Sequence, residues 1–264
     1  MGTVARRLRW WVDAPAPGAD NMQRDRELLQ RAESDPDFDP CLRLYAWDPP
    51  ALSLGFHQDD AEVDTDALDA AGFGLVRRPT GGAAVLHHRE ITYAVVARLG
   101  VEGLGRGVLE IHDAIAAALG ASLADLGVDA RRGGEGRPAG FACFSAAGGH
   151  EITVEGRKLV GSALRRTRHA FLQHGSLLTG AGHEQLPRFI RGHSGGVEVD
   201  ALRARTITLT DLEVEGFDPE GWGEAFARRL GEGLRTGVER AHDAEHPIGR
   251  NRRGSELQAR PHGE

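Results

Sequence analysis

The sequence predicts an α+β fold in which mixed and antiparallel sheets are flanked by helices. Segments with helical spacing of apolar residues, the longest at residues 108–126, alternate along the chain with short apolar or alternating runs that are typical of strands. Three strand-like runs follow one another between residues 151 and 178, which indicates an antiparallel arrangement. With 264 residues, 40% of them apolar, the chain is long enough to bury a substantial core.

Composition and charge argue against several classes of protein. The formal net charge of -7 disfavours a general nucleic-acid binder, which needs a concentrated positive surface. No apolar stretch is long enough to span a bilayer and the N-terminus lacks the apolar core of a secretion signal, so we expect a soluble, cytoplasmic protein without a membrane partner. Two cysteines, Cys41 and Cys143, are too few for a disulfide framework or a cysteine-rich zinc site.

In the N-terminal part of the chain the pattern predicts three strands and two helices. The strands lie at residues 9–12, 41–47 and 51–56, and the helices at residues 22–32 and 61–71. We expect Asp20 and Asn21 to cap the first helix, since both residue types accept hydrogen bonds from the free amides of a first turn.

The rest of the chain continues this alternation and then loses its pattern. Strands are predicted at residues 75–76, 85–96, 151–154, 158–165 and 170–178, and helices at residues 108–126 and 222–238. We therefore expect three regions. They are a main core at residues 1–180, a smaller helical portion at 181–243 packed on that core, and a disordered tail at 244–264, which is rich in arginine, glycine and proline.

A glycine-rich loop at residues 77–82, RRPTGG, is the first candidate site. Gly81 and Gly82 let the backbone approach a ligand closely, and the guanidinium of Arg77 offers paired donors to a carboxylate or phosphate. The loop is not a Walker loop, because no Gly-Lys-Ser/Thr follows. Taken alone, the same residues fit a tight hairpin with a solvated basic rim equally well.

Cys143 and Lys158 form the second candidate site. Lys158 is the only lysine among the 32 lysine and arginine residues, and an ammonium can release its proton whereas a guanidinium cannot. Cys143 lies 15 residues before Lys158, across a predicted hairpin. The ammonium of Lys158 is therefore expected to approach the thiol of Cys143 and favour its nucleophilic thiolate form. A buried packing role is the alternative for Cys143, and it is the interpretation we prefer for Cys41.

Small residues in two neighbouring predicted strands form the third candidate site. They are typical of a groove floor on which a ligand lies, because larger side chains would block it. These residues are Gly161, Ser162, Ala163, Gly175 and Ser176. His174 beside them is a candidate base, although a lone histidine is more often structural. His87 and His88 lack a third spaced ligand, so no metal site is predicted.

Together these motifs resemble the biotin/lipoate protein ligase superfamily. The resemblance is carried by RRPTGG with Val85-Leu86-His87, by Glu151 with residues 156–163, and by residues 173–178, and it extends from about Trp10 to Leu178. It implies the α+β catalytic fold of that superfamily. It also implies an enzyme that attaches lipoate or octanoate to a protein lysine.

Cys143 distinguishes the branches of this superfamily. The ligases activate lipoate with ATP and need no nucleophilic cysteine, whereas the octanoyltransferases move octanoate from acyl carrier protein through a cysteine. The setting of Cys143, shortly before Glu151, is similar to the cysteine loop of the LipM-type octanoyltransferases. Two departures stand out: residues 146–151 read AAGGHE where that branch has Pro-Ser-aromatic-Tyr-Glu, and His88 replaces an aspartate after the loop histidine.

The resemblance implies a two-step acyl transfer. Octanoate would pass from octanoyl-acyl carrier protein to Cys143 and then to the lysine of a lipoyl domain, chiefly the glycine-cleavage H protein, with the acyltransferase subunits of 2-oxoacid dehydrogenases as further partners. Lys158 is implied as the second catalytic residue. The implied substrate-binding residues are Arg77, Thr80, Gly81, Gly82, His87, Gly161, Ser162, Ala163, His174 and Gly175.

No cofactor is expected for this transfer, and ATP with Mg²⁺ is expected only if the chain is a lipoate-protein ligase. Two further alternatives remain open, an amidotransferase between lipoyl domains and a non-catalytic protein that binds such domains. The proposed partners are acidic, so the family resemblance implies a local basic rim on this acidic chain. Its candidates are Arg131, Arg132, Arg137, Arg165, Arg166 and Arg168.

Overall fold

An eight-stranded mixed sheet forms the centre of the computed structural model, which describes residues 7–133, 151–192 and 196–241. In chain order its strands are β1 (Arg7–Val12), β2 (Cys41–Tyr45), β6 (Glu90–Arg98), β7 (Arg131–Arg132), β8 (Ile152–Val154), β9 (Arg157–Arg166), β10 (Ala170–Leu178) and β11 (Gly237–Arg240). Their spatial order is β11-β1-β2-β6-β10-β9-β8-β7. β1 pairs in parallel with β2 and β11, and the remaining pairs are antiparallel.

A second sheet of three strands carries the glycine-rich loop. It consists of β3 (Ala51–Leu54), β4 (Gly74–Arg77) and β5 (Val85–His87), with β3 in the middle, parallel to β4 and antiparallel to β5. The loop at residues 77–82 therefore leaves the end of β4 and returns into β5. The predicted strand at residues 85–96 is in fact two strands, because the chain turns at Arg89, which has a positive φ of 51°.

Helices cover both faces of the large sheet. α1 (Gly18–Ser34) packs on one face, and α3 (Val108–Ala124) and α5 (Pro219–Leu234) pack on the other. β2 shows why: Cys41 and Tyr45 point towards α1 while Leu42 and Leu44 point towards the opposite core. The predicted α+β class is confirmed.

The apolar stripes of α3 and α5 account for their packing. Ile111, Ile115, Leu119 and Leu123 recur at helical spacing on α3 and are all buried. Burial of such a side chain stabilises a fold by about 2 kcal/mol relative to its exposure. α5 begins earlier than predicted because Asp218 accepts hydrogen bonds from the amides of its first turn, and it ends at Leu234 because Arg235 adopts a left-handed conformation.

Two N-terminal predictions need correction. α1 starts at Gly18 after Pro17, and neither Asp20 nor Asn21 caps it. The buried amide of Asn21 donates to the carbonyl oxygens of Ala16 and Ala46 instead. The helix predicted at residues 61–71 is shorter, namely α2 (Thr65–Ala70), because the side chain of Asp64 accepts from Ala67 N and starts the helix there. A 3₁₀ turn at Asp60–Glu62 occupies the preceding residues.

The C-terminal part consists of a 3₁₀ helix (His183–Phe189), α4 (Gly196–Arg205), α5 and β11. It meets the N-terminal part through α5, which packs on α3 and β1, and through β11, which pairs with β1. The division of the chain at residue 180 stays a prediction, and the tail at 244–264 lies outside the described residues. Within the described ranges, no helix is both long and apolar enough to cross a membrane.

Candidate active site

A pocket of about 390 Å³, including its mouth, opens where the two sheets meet. The large sheet contributes residues of β9 and β10, and the small sheet contributes residues of β3 and β5. The full lining is Met22, Tyr45, Trp47, Ser53, Arg78, Val85, His87, Thr92, Gly161, Ser162, Ala163, His174, Gly175 and Ser176. Six of the predicted binding residues, His87, Gly161, Ser162, Ala163, His174 and Gly175, are therefore brought together in one pocket.

The floor of the pocket exists because β9 and β10 carry small residues opposite each other. Gly175 pairs with Ser162, and Gly161 pairs with Ser176. A β-carbon at position 175 would lie 2.6 Å from the carbonyl oxygen of Gly161 and 2.7 Å from the ring of Tyr93, which leaves no space for a side chain. Tyr93 belongs to the core on the α3 and α5 face of the sheet, where its hydroxyl lies 2.7 Å from Ser162 Oγ.

The glycine-rich loop is held against β3 by the buried guanidinium of Arg78. Arg78 donates to the carbonyl oxygens of Ser53 (3.0 Å), Gly81 (2.8 Å) and Ala83 (2.7 Å). Gly82 has a positive φ of 89° and lies so close to Gly55 that a β-carbon at position 55 would clash with the Gly82 carbonyl oxygen. Arg78 was not among the predicted binding residues, and the paired arginines gave no signal to tell it from Arg77.

Arg77 takes a different place from its neighbour. Its guanidinium donates to the carbonyl oxygens of Gly55 (3.1 Å) and Gln58 (2.5 Å), and it lines a neighbouring groove rather than the pocket. Thr80 is not part of the pocket lining, but its hydroxyl lies 2.6 Å from Nε2 of His174, which is. The loop thus contributes Arg78 to the lining and supports His174 through Thr80.

His174 is oriented by a buried carboxylate on α1. Its Nδ1 lies 3.0 Å from Asp25 Oδ2, and Asp25 also pairs with Arg43 at 2.7 Å and accepts from the hydroxyl of Tyr45 at 2.9 Å. Burial raises the pKa of Asp25, but the hydrogen bond from His174 and the charge of Arg43 outweigh it, so the pKa lies below its usual value. The ionised Asp25 accepts the hydrogen bond of His174 Nδ1, and Nε2 on the other side of the ring meets the hydroxyl of Thr80.

Sequence reasoning missed Asp25, although a signal was present. Asp25 precedes Leu28 and Leu29 by three and four residues, so it lies on the same buried face of α1. An aspartate on the apolar face of a helix needs a buried partner. The sequence did not show that this partner is a histidine on β10.

His87 lies in a closed hydrogen-bonded setting within the pocket. Its ring stacks on Trp47 with centroids 3.8 Å apart, its Nε2 lies 2.8 Å from Ser53 Oγ, and its Nδ1 lies 3.4 Å from the carboxylate of Glu90. Burial lowers the pKa of His87, and the neighbouring Glu90 only partly offsets this, so the ring is neutral at neutral pH. Glu90, and not residue 88, therefore orients His87.

His88 points away from this pocket. Its ring lies beside Phe73, with centroids 5.6 Å apart, and approaches Gly182 so closely that no β-carbon fits there. The replacement of the expected aspartate by His88 thus leaves the hydrogen bonds of His87 intact.

Lys158 and Glu151 form a buried ion pair at the β8–β9 hairpin. Lys158 is only 1% exposed, and its carbonyl oxygen accepts from Ile207 N at 3.0 Å. Lys158 lies three residues before Gly161 on β9 and is not part of the pocket lining. Cys143 lies outside the described residues, so its distance from Lys158 stays a prediction.

Cys41, the second cysteine, has an unreactive thiol. Cys41 is buried in β2, and burial raises the pKa of its thiol to about 12. Among the described residues, no group of three histidine, cysteine or acidic side chains is arranged to hold a metal ion.

Comparisons with known proteins show the family of this chain. Residues 17–230 match the family model of the lipoyl protein ligase A/B catalytic domain. Octanoyltransferase LipM of Kyrpidia tusciae is 43% identical over 241 residues, covering 83% of this chain and 87% of that protein. Octanoyltransferase LipM of Moorella thermoacetica is 46% identical over 201 residues, covering 74% of this chain and 70% of that protein.

Solved structures show the same fold at low sequence identity. A lipoate-protein ligase A bound with ATP superposes with a TM-score of 0.70 at 22% identity, covering 91% of each chain. A bipartite lipoate protein ligase from Thermoplasma acidophilum, studied with its E2 lipoyl domain, gives a TM-score of 0.66 at 21% identity and covers 92% of this chain and 89% of that one.

Proposed function

The chain belongs to the lipoyl protein ligase A/B family and is an octanoyltransferase like its curated relatives, and on that premise we propose that it moves octanoate from octanoyl-acyl carrier protein through Cys143 to a lipoyl-domain lysine. The pocket is the observation that carries this proposal. Its lining combines small residues, Gly161 and Gly175 among them, with the apolar side chains of Met22, Trp47 and Val85, a composition that suits an aliphatic chain.

In the first step, the thiolate of Cys143 attacks the carbonyl carbon of the octanoyl thioester. The carbon–sulfur bond to the carrier breaks, and the carrier thiolate takes up a proton as it leaves. Cys41 does not compete for this role, because its thiol is buried with a pKa of about 12. Lys158 is the proposed cation that favours the thiolate of Cys143.

In the second step, the acceptor lysine attacks the Cys143 thioester as a neutral amine. The new carbon–nitrogen bond forms as the carbon–sulfur bond breaks, and the amine proton passes to the departing sulfur of Cys143. Both steps use the energy of the original thioester, so the proposal includes no ATP and no cofactor. Backbone amides at residues 80–82 or 158–159 hold the oxyanion, at about 3 kcal/mol per donor.

The polar residues of the pocket position the substrate carbonyl rather than react with it. His174, held by Asp25, fixes the hydroxyl of Thr80 and thereby the loop at 80–82. His87 is neutral and its ring stacks on Trp47. It therefore lines one side of the pocket and can form a hydrogen bond there.

Lipoyl domains are the proposed acceptors, with the glycine-cleavage H protein foremost and 2-oxoacid dehydrogenase acyltransferase subunits as further partners. Support comes from the Thermoplasma neighbour, whose structure was analysed together with its E2 lipoyl domain. A cytoplasmic location is proposed with these partners.

Donor specificity and ATP dependence test this function. Apo H protein is incubated with the enzyme and either octanoyl-acyl carrier protein alone, octanoyl-H protein from a second source, or free octanoate with ATP and Mg²⁺. We expect octanoylation from the carrier without ATP. Transfer only from octanoyl-H protein would indicate an amidotransferase, and transfer only from free octanoate with ATP would indicate a ligase. Binding without transfer would indicate a non-catalytic protein.

A further inference from the structure

An arginine-lined groove adjoins the acyl pocket at Arg78, which lines both. The groove has a volume of about 860 Å³, including its open side. Its basic and apolar lining includes Arg26 on α1, Phe56 after β3, Arg77 and Pro79 around the β4–β5 loop, and Arg165 at the end of β9. The groove thus leads outwards from the floor of the pocket, since Arg165 follows Ala163 by two residues on β9.

Within the described part of the chain, the guanidinium groups of Arg26, Arg77 and Arg165 contact only backbone carbonyl oxygens and an aromatic ring. Arg26 donates to the carbonyl oxygen of Arg77 at 2.8 Å, and Arg165 donates to that of Pro79 at 3.0 Å. The Arg165 guanidinium also lies 4.7 Å from the ring centroid of Phe56. Each guanidinium has five N–H donors, so each retains donors for a further acceptor.

The single carboxylate of the groove does not neutralise these arginines. Glu33 accepts instead from the hydroxyl of Thr167 and from the amide of His169 at 2.9 Å, and these bonds hold the pKa of Glu33 below its usual value. Elsewhere arginines of this chain pair with acids, for example Arg24 with Asp13 at 3.3 Å. Four arginines thus face one carboxylate in this groove, and such a local excess of positive charge in a chain with 39 acidic and 32 basic residues marks a site for an anion.

We propose that this groove binds the phosphodiester of the phosphopantetheine arm that carries the octanoyl thioester. The inference rests on the proposed function, because it names how the donor is held. A carrier-bound thioester lies at the end of a long arm, which must run from the pocket to the carrier outside. The exposed ring of Phe56 offers an apolar contact for the arm, and the guanidinium groups of Arg26, Arg77 and Arg165 surround its phosphate.

A lipoyl-domain acceptor accounts for the arginines of this groove less well than the donor does. A lipoyl-domain lysine carries no phosphate, and a single side chain that reaches the thioester needs no extended channel. We therefore assign the groove to the donor and not to the acceptor.

Three octanoyl donors test this assignment through steady-state transfer to apo H protein. They are octanoyl-acyl carrier protein, octanoyl-4'-phosphopantetheine and octanoyl-pantetheine, which lacks the phosphate. For the wild type we expect KM to be at least tenfold higher for octanoyl-pantetheine than for the phosphorylated form. In Arg26→Ala this ratio should fall towards one, because KM rises for both phosphorylated donors, the carrier and octanoyl-4'-phosphopantetheine. The matched control is Arg24→Ala, two residues away on α1 and paired with Asp13.

Binding of 4'-phosphopantetheine by titration calorimetry gives a readout that needs no turnover. The wild type and Arg24→Ala should bind with equal affinity, and Arg26→Ala about tenfold more weakly, as should Arg165→Gln. Equal binding in all four proteins would overturn the assignment.

Two kinetic results would also overturn it. If Arg26→Ala raised KM for octanoyl-acyl carrier protein but not for octanoyl-4'-phosphopantetheine, the groove would bind the carrier's protein surface. A higher KM for H protein alone would mean that it binds the acceptor. No transfer by the wild type from any donor, with phosphopantetheine binding intact, would reject the proposed function and leave the anion site standing.

Discussion

Thr80 and His174 lie 94 residues apart in the sequence, yet their side chains meet at 2.6 Å. This contact joins the glycine-rich loop of the small sheet to β10 of the large sheet. Asp25 on α1 completes it from the other side of the ring at 3.0 Å. Three separate elements therefore fix the position of the loop beside the acyl pocket.

Replacing Thr80 tests whether this contact positions the loop. Thr80→Val keeps the shape of the side chain but removes the hydroxyl, so His174 Nε2 loses its partner. We expect kcat to fall about tenfold, which corresponds to about 1.4 kcal/mol, with little change in KM. Thr80→Ser retains the hydroxyl and should keep at least half of the activity. Equal activity of both variants would contradict a positioning role.

Gly175→Ala tests the floor of the pocket. The added methyl group would lie within 2.7 Å of the Gly161 carbonyl oxygen and the Tyr93 ring, and the backbone atom has little freedom to move. We expect the free energy of unfolding to fall by about 2 kcal/mol and octanoyl transfer to fall more than 100-fold. The control is Gly74→Ala on β4, where the nearest atom would lie at 3.5 Å. Denaturant unfolding and transfer assays on both variants measure these losses, and equal values for Gly175→Ala and Gly74→Ala would contradict the prediction.

The stability of the fold should decline in mild acid because of buried histidines. Burial lowers the pKa of His183 to about 4, and the carboxylates of Glu184 and Asp211 offset this only in part, while Arg203 and Lys158 add to the lowering. Between about pH 4 and 6.5 the unfolded state binds a proton that the folded state does not, so the free energy of unfolding falls as pH falls. Burial of His87 acts in the same direction.

The slope of stability against pH measures this effect. One such histidine contributes up to about 1.4 kcal/mol per pH unit. His183→Gln should have a flatter profile than the wild type between pH 4 and 6.5, whereas His57→Gln, at an exposed position, should retain the wild-type slope. Parallel profiles for wild type and His183→Gln would show that His183 does not titrate as described.

The Glu151–Lys158 pair should contribute to stability only as a pair. Glu151→Gln leaves the buried Lys158 ammonium without this carboxylate, and we expect a loss of about 3 kcal/mol in unfolding free energy. The double variant Glu151→Gln/Lys158→Met should recover part of that loss, because it buries no charge. Glu155→Gln on the same hairpin is exposed and should change stability by less than about 0.5 kcal/mol. Additive losses in the double variant would show that the pair is not coupled.

Much of the fold could be predicted because burial leaves a periodic trace. The stripe on α3 and the alternation in β2 each identified a buried face correctly. The small residues of β9 and β10 likewise indicated a floor, since glycine and serine in adjoining strands leave space above the sheet.

The polar contacts of the site could not be predicted in the same way. Periodicity places Asp25 on a buried face but does not say which distant side chain meets it there. Arg77 and Arg78 are adjacent and identical in type, and only the course of the loop decides that Arg78 enters the pocket. β11 was missed because its short, mostly exposed segment has no apolar pattern and is defined by its pairing with β1.

The covalent intermediate on Cys143 is the central claim of this account, and intact-protein mass measures it directly. Wild type and Cys143→Ala are mixed with octanoyl-acyl carrier protein without ATP, and apo H protein is then added. We predict that the wild type alone gains the mass of one octanoyl group, that hydroxylamine removes it, and that H protein takes it over. An unmodified wild type, or transfer by Cys143→Ala at the wild-type rate, would contradict the cysteine relay.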